Sequence, residues 1–230
     1  MDREEVTGFV LAGGRSTRMG RDKAALRLKG RTLLEHALEV LRQAAGEVRI
    51  LGPRQRYAGY GVPVIEDIFP GCGPLGGIHA ALSHTRTRFN LIIAVDTPFL
   101  SAEFLRFMVE RAVSSGAAVT TPEIAGYRQP LCSVYSREFL PIAEQALKRS
   151  GTPCTPPEAK KPQPREQAKA GPAEGESKSS EYKIVPLFPR DRTCVITEAE
   201  IRRFAFTPEM FENLNTPDDL ERARRREAKS

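Results

Sequence analysis

The run Leu91-Ile92-Ile93-Ala94-Val95 is apolar at every position and stops at Asp96-Thr97-Pro98. A strand with no polar face must be covered on both sides, as a central strand of a parallel sheet is covered by helices above and below. Thr7-Gly8-Phe9-Val10-Leu11 and Val48-Arg49-Ile50-Leu51, the second closed by Gly52-Pro53, read as further strands. Val62-Pro63-Val64-Ile65 reads as a weaker one, because a proline suits a sheet edge. Between them, Leu33, Leu34, Ala37, Leu38 and Leu41 recur at helical spacing. Ser101 opens a further helix, with Glu103 in its first turn and Phe104, Leu105, Met108 and Val109 along one face. Additional helices are expected at 78–82 and 139–147, and additional strands at 117–121 and 131–135. This alternation predicts an α/β fold: a doubly wound, mostly parallel sheet with helices on both faces.

The rhythm breaks between residues 150 and 182. That stretch has six prolines, balanced charges and no Leu, Ile, Val, Phe or Met, so it cannot bury enough apolar surface to offset the entropy of ordering. It is expected to be a disordered, proline-rich insertion in one domain. Residues 1–149 then form the core, and 183–222, beginning at Ile184-Val185-Pro186-Leu187-Phe188, complete it. A last helix is expected from Asn215-Thr216-Pro217-Asp218-Asp219-Leu220, followed by a basic tail at 223–230.

Residues 221–230 carry half of the formal charge of +6. A basic end can signal nucleic acid, but no aromatic stacking residue is interleaved here. A solvated helix terminus is the preferred reading, and nucleic acid is not expected as a partner. No apolar run approaches the roughly 18 residues of a membrane span, and the start, Met1-Asp2-Arg3-Glu4-Glu5, has no apolar signal segment. A cytoplasmic protein is expected. Cys72, Cys132, Cys154 and Cys194 are far apart. They suggest neither a zinc site nor a disulfide framework, but free thiols. His36, His79 and His84 have no metal-ligand spacing with acidic partners and receive no role.

The chemistry concentrates after the first strand, in Leu11-Ala12-Gly13-Gly14-Arg15-Ser16-Thr17-Arg18-Met19-Gly20-Arg21-Asp22-Lys23. Glycines let backbone N–H groups approach a phosphate closely. Arg15, Arg18 and Lys23 can neutralise a triphosphate, arginine through its planar fork and lysine as a mobile point charge. No G-K-[ST] follows the glycines, so this is not a P-loop. The bland alternative is a solvated basic turn. The three cations and a second glycine-rich loop at 70–77 favour phosphate binding. Asp96 ends the strand most buried on both faces, at the sheet edge where ligands of open α/β sheets bind. A carboxylate there is placed to hold Mg²⁺ against substrate phosphates, and Ser101 is the better cap for the helix that follows.

This first motif, together with Ile65-Glu66-Asp67, Gly73-Pro74-Leu75-Gly76-Gly77, Val95-Asp96-Thr97-Pro98 and 213–220, is similar to the signature of molybdenum cofactor guanylyltransferases. The likeness covers residues 7–221 apart from the insertion. It implies a Rossmann-like nucleotidyltransferase fold, GTP and molybdopterin as substrates, and Mg²⁺ as cofactor. Catalytic roles fall to Lys23 and Arg18. Nucleotide contacts fall to Leu11, Ala12, Gly13, Gly14, Arg15, Lys23, Asp67 and Asp96, and metal contacts to Asp96 and Asn215. Molybdenum-insertion or molybdoenzyme-maturation proteins would be further partners.

Two of these residues have local alternatives. Asp67 would otherwise be a turn residue before Phe69-Pro70, and Asn215 an N-cap for the last helix. One departure stands out: the family often has an asparagine after the second strand, where this chain has Gly52-Pro53-Arg54. Two other functions compete with guanylyl transfer. One is a cytidylyl or sugar-phosphate nucleotidyltransferase, although cytidylyl relatives usually read L-A-A-G. The other is a non-catalytic molybdopterin- or nucleotide-binding module, against which the intact Lys23 and Asp96 argue.

Overall fold

The computed structural model describes residues 5–13, 22–149 and 183–227. The expected insertion and the end of the tail lie outside the described residues, as do Gly14, Arg15 and Arg18.

In chain order the elements are β1 (Val6–Leu11), β2 (Arg27–Leu28), β3 (Arg31–Thr32), α1 (Leu33–Ala44), β4 (Glu47–Leu51), α2 (Arg54–Tyr57), β5 (Val64–Ile65) and α3 (Gly73–Ser83). There follow β6 (Phe89–Ala94), α4 (Ala102–Ser115), β7 (Val119–Ile124), β8 (Tyr127–Arg128), β9 (Cys132–Ser136) and α5 (Leu140–Arg149). The chain closes with β10 (Thr193–Thr197), α6 (Glu198–Arg203) and α7 (Pro217–Glu227). The main sheet has the order β10-β7-β9-β6-β1-β4-β5, with β8 paired to β7. β5, β4, β1 and β6 run parallel, as do β7 and β10. β9 is antiparallel to both β6 and β7. The sheet is therefore mostly parallel and α/β, as the sequence predicts, and β5 lies at its edge.

Strand periodicity divides the core. Val6, Val10, Ile50, Leu91 and Ile93 face a layer that includes Leu34, Leu38 and Leu41 of α1 and Phe104, Leu105 and Met108 of α4. Phe9, Leu51, Ile65 and Ile92 face the opposite layer, with Leu75, Ile78 and Leu82 of α3 and Phe139, Ala143 and Leu147 of α5. β6 is buried along its whole length, as a strand between two helical layers must be. Thr32 starts α1 with a capping box: its hydroxyl accepts from the Glu35 amide, and the Glu35 carboxylate accepts from the Thr32 amide. Ser101 caps α4 by accepting from the Phe104 amide. The segment after residue 183 completes the same sheet through β10, with Ile184 and Phe188 buried in the α3–α5 layer.

Two expectations need correction. The second glycine-rich stretch is not a loop throughout, because α3 begins at Gly73. Its glycines allow a close approach: a Cβ on Gly76 would stand 2.9 Å from the Phe69 carbonyl oxygen, and one on Gly77 2.4 Å from Leu11 Cδ2. Cys72 is disulfide-bonded, against the expectation of free thiols. Cys132 and Cys194 are free. Linear spacing carries no information about which thiols the fold brings together. Among the described residues, no helix is long and apolar enough to cross a membrane.

Candidate active site

The parallel strands deliver their following residues to one edge of the sheet. Ala12 and Gly13 leave β1, Gly52 leaves β4, Asp67 leaves β5, and Asp96 leaves β6. Hydrogen bonds just past the strand ends hold these departures in register. Ala12 and Gly13 both donate to the Leu51 carbonyl at 3.0 Å, Gly52 donates to Ile65 at 2.9 Å, and Val95 donates to Leu11 at 3.1 Å. The Ala12 and Gly13 amides are thus committed to the sheet, and in this conformation they are not free to meet phosphate. Gly13 and Gly52 lie almost against each other: a Cβ on Gly13 would stand 3.2 Å from the Gly52 Cα.

At the centre of this edge Lys23, in a short 3-10 turn, donates to Asp96 Oδ2 at 2.8 Å and to Asn215 Oδ1 at 2.6 Å. About a fifth of each of the Lys23 and Asp96 side chains is exposed, so the pair is reachable from solvent. Asn215 arrives because the Leu214 amide donates to the Asp96 carbonyl at 2.9 Å. It does not cap α7. Thr216 does so, its hydroxyl accepting from the Asp219 amide at 3.1 Å, while Asp219 Oδ2 accepts from the Asn215 and Thr216 amides. These contacts, with the Arg222 guanidinium, hold the Asp219 carboxyl down at about 2 and leave the Asn215 side chain to face Lys23.

Asp67 stands apart, beside α3, with its carboxylate 3.5 and 3.8 Å from where Cβ atoms of Gly76 and Gly77 would lie. One side of it is open to solvent. The packed protein on the other side nevertheless pushes its carboxyl up to about 6 by desolvation.

Two neighbours of the cluster receive no role from the sequence. Tyr57, at the end of α2, is buried, and its hydroxyl lies 3.0 Å from the Ala12 carbonyl oxygen and 3.2 and 3.0 Å from the two oxygens of Asp22. Burial, then the Asp22 charge, pushes its hydroxyl pKa up, so it stays a donor. Asp22 was visible within the glycine-rich motif but had no assigned partner. His79 is buried against Phe69, ring centroids 5.0 Å apart, away from this cluster. Burial lowers its pKa.

Residues 8–154 match the family described as a MobA-like NTP transferase domain. A probable molybdenum cofactor guanylyltransferase from Pelotomaculum thermopropionicum is 31% identical, over 96% of this chain and 92% of that protein. The chain belongs to this family. Another probable molybdenum cofactor guanylyltransferase, from Carboxydothermus hydrogenoformans, is 30% identical over 95% of each chain. The crystal structure of molybdopterin-guanine dinucleotide biosynthesis protein A from Archaeoglobus fulgidus superposes with a TM-score of 0.72. It covers 97% of this chain and all of that one at 24% identity, a likeness of fold. The protein is a nucleotidyltransferase, and its second glycine-rich segment, Asp67 and the Lys23–Asp96–Asn215 cluster share the sheet edge where such folds bind ligands.

Proposed function

We propose that the protein transfers GMP from GTP to molybdenum-loaded molybdopterin, with Mg²⁺ as cofactor, forming the guanine dinucleotide of the cofactor. The observation that carries the reading is the convergence of Asp96 Oδ2 and Asn215 Oδ1 on the single cationic group of Lys23. Two oxygen ligands directed at one positive centre fit Mg²⁺, which takes few protein ligands and fills the rest of its shell with water and phosphate oxygens. Among the described residues no cluster of three or more His, Cys, Asp or Glu could hold a metal ion. A site shared between protein and substrate is in keeping with that.

Bound there, Mg²⁺ would supply charge neutralisation at the triphosphate. With a cation held by Asp96 and Asn215, Lys23 would be free to contact the phosphates. By resemblance, Arg15 and Arg18 are assigned to the same phosphates. A phosphate oxygen of molybdopterin attacks the α-phosphorus of GTP, a new P–O bond forms, and the bond to the β-phosphate breaks, so pyrophosphate leaves with the electron pair. The nucleophile is already ionised, so no general base is required. The protein's contribution is positioning and stabilisation of charge. Leu11, Ala12, Gly13 and Gly14 line the nucleotide side in this reading, and Asp67 accepts hydrogen bonds from the base or ribose.

Guanine is favoured by the family resemblance and not by any contact at Gly52. The test is a nucleotide panel with purified protein, Mg²⁺ and molybdenum-loaded molybdopterin, read as pyrophosphate release. GTP is expected to outperform CTP and ATP. Equal or faster transfer from CTP moves the protein to the cytidylyl alternative, and no turnover with any nucleotide favours the binding-module alternative.

A further inference from the structure

We propose that Tyr57 is a positioning residue for nucleotidyl transfer, its hydroxyl fixing the Ala12 carbonyl and the Asp22 carboxylate at one spacing and thereby setting where Lys23 stands. The inference rests on the reading that Lys23 meets the polyphosphate.

The hydroxyl has one proton and faces three oxygens, Ala12 O at 3.0 Å and Asp22 Oδ1 and Oδ2 at 3.2 and 3.0 Å. A carbonyl and a carboxylate are both acceptors, and without a donor between them they repel. The shared proton is what allows the two chain segments to close on each other. Other contacts limit what else Asp22 can do. Its Oδ1 also accepts from the Ala24 amide at 3.0 Å, capping the turn that carries Lys23, and Arg56 Nη1 lies 4.0 Å from Oδ2. Asp22 is thus an anchor for that turn. The next residue along the chain is Lys23, whose ammonium reaches Asp96 and Asn215.

The ring is as constrained as the hydroxyl. Tyr57 is 2% exposed, and a Cβ on Gly52 would stand only 2.8 Å from its Cε2. The missing side chain at position 52 leaves the room the ring occupies while its hydroxyl reaches Ala12 and Asp22. Tyr57→Phe keeps that packing and removes the one proton, so it separates positioning from folding.

The experiment is a double-mutant cycle on Tyr57→Phe and Lys23→Ala, with calorimetric titration of pyrophosphate in the presence of Mg²⁺ and thermal melting of each protein. Pyrophosphate is common to all nucleotidyl transfers, so the result does not depend on which base the enzyme uses. An error in the guanylyl reading would surface only in the nucleotide panel. Hydrogen bonds to charged groups set the scale: Tyr57→Phe should weaken pyrophosphate binding about tenfold while melting stays close to wild type. The same substitution should have almost no further effect in the Lys23→Ala background, because it acts through Lys23. Asp22→Ala, which removes the acceptor that the hydroxyl meets, supplies the second variant. It should reproduce the loss and be non-additive with Tyr57→Phe. Unchanged pyrophosphate affinity in Tyr57→Phe would overturn the proposal. So would an equal loss with and without Lys23, which would make Tyr57 a packing residue only.

Discussion

Lys23 and Asp96 lie 73 positions apart in the chain and meet at 2.8 Å at the edge of the sheet. The ammonium stands between Asp96 and Asn215, where a divalent cation would find both oxygens. The pair is partly exposed, so its contribution to folding is small, about 0–1 kcal/mol for a solvent-screened ion pair. Its contribution to chemistry is expected to be larger.

Lys23→Ala should therefore separate stability from rate. A charge-assisted contact to a transferring phosphate is worth on the order of 2–4 kcal/mol, so turnover should fall by about 10²–10³, with melting almost unchanged. Single-turnover kinetics with saturating GTP reads the effect. Turnover within about threefold of wild type would remove Lys23 from the phosphate site.

Asp96→Asn should act on the metal first. The amide oxygen can still accept from Lys23, so the local geometry survives, but the charge is gone. Loss of an outer-shell partner already costs about 10–100-fold in metal affinity. Losing a ligand's own charge should raise half-saturating Mg²⁺ by at least about tenfold. An Mg²⁺ titration of activity checks this. If the titration does not move, Asp96 serves only to hold Lys23.

Most of the framework could be read from apolar periodicity, because a buried parallel strand and an amphipathic helix write their burial directly into the sequence. The Leu91–Val95 run gave the central strand, and Ser101 gave the start of α4. What escaped was set by contacts between distant residues. β10 pairs with β7 across a long excursion of chain, and nothing in Thr193–Thr197 alone names that partner. The Gly73–Gly77 stretch looked like a loop because glycine and proline usually mark one. Here the glycines serve the close approach of α3 to Leu11 and Phe69. That Asn215 is not the cap of α7 shows only in the Thr216–Asp219 pair, which makes the cap bonds instead. Tyr57 had no periodicity or motif to draw attention, since its role depends on Asp22 and Ala12 converging on its hydroxyl.

Gly52→Asn installs the residue that relatives often carry after this strand, and it should not improve nucleotide binding here. A Cβ at position 52 would stand 2.8 Å from the Tyr57 ring and 3.1 Å from the Gly13 nitrogen, and one of those two is backbone. Overpacking of this kind costs about 1–3 kcal/mol, and the ring it displaces carries the hydroxyl that faces Asp22. The expected outcome is a lower melting temperature together with weaker GTP binding, measured by thermal melting and equilibrium titration. A variant as stable as wild type with tighter GTP binding would show that position 52 can accept the relatives' solution.

Asp67 provides a pH-dependent prediction whose sign is fixed by its environment. Its carboxyl rises from 3.8 to about 6 because the protein packed on one side of it disfavours the charged form. The folded protein therefore holds this proton more tightly than the unfolded chain does. Stability from this residue is fullest below about pH 4, where the carboxyl is neutral in both states. It is lost as pH rises through about 6, and above that the folded state carries a constant penalty for a desolvated charge. Asp67→Asn removes the penalty, so its melting temperature should exceed that of wild type at pH 8, and the two should converge near pH 4. Binding should move the other way. If ionised Asp67 accepts hydrogen bonds from the nucleotide, wild-type affinity for GTP should rise between about pH 5 and 7 as the carboxylate forms, and Asp67→Asn should flatten that profile. Paired melting curves and GTP titrations across this range test both halves. A wild-type binding profile as flat as that of Asp67→Asn would leave Asp67 as a turn residue beside α3.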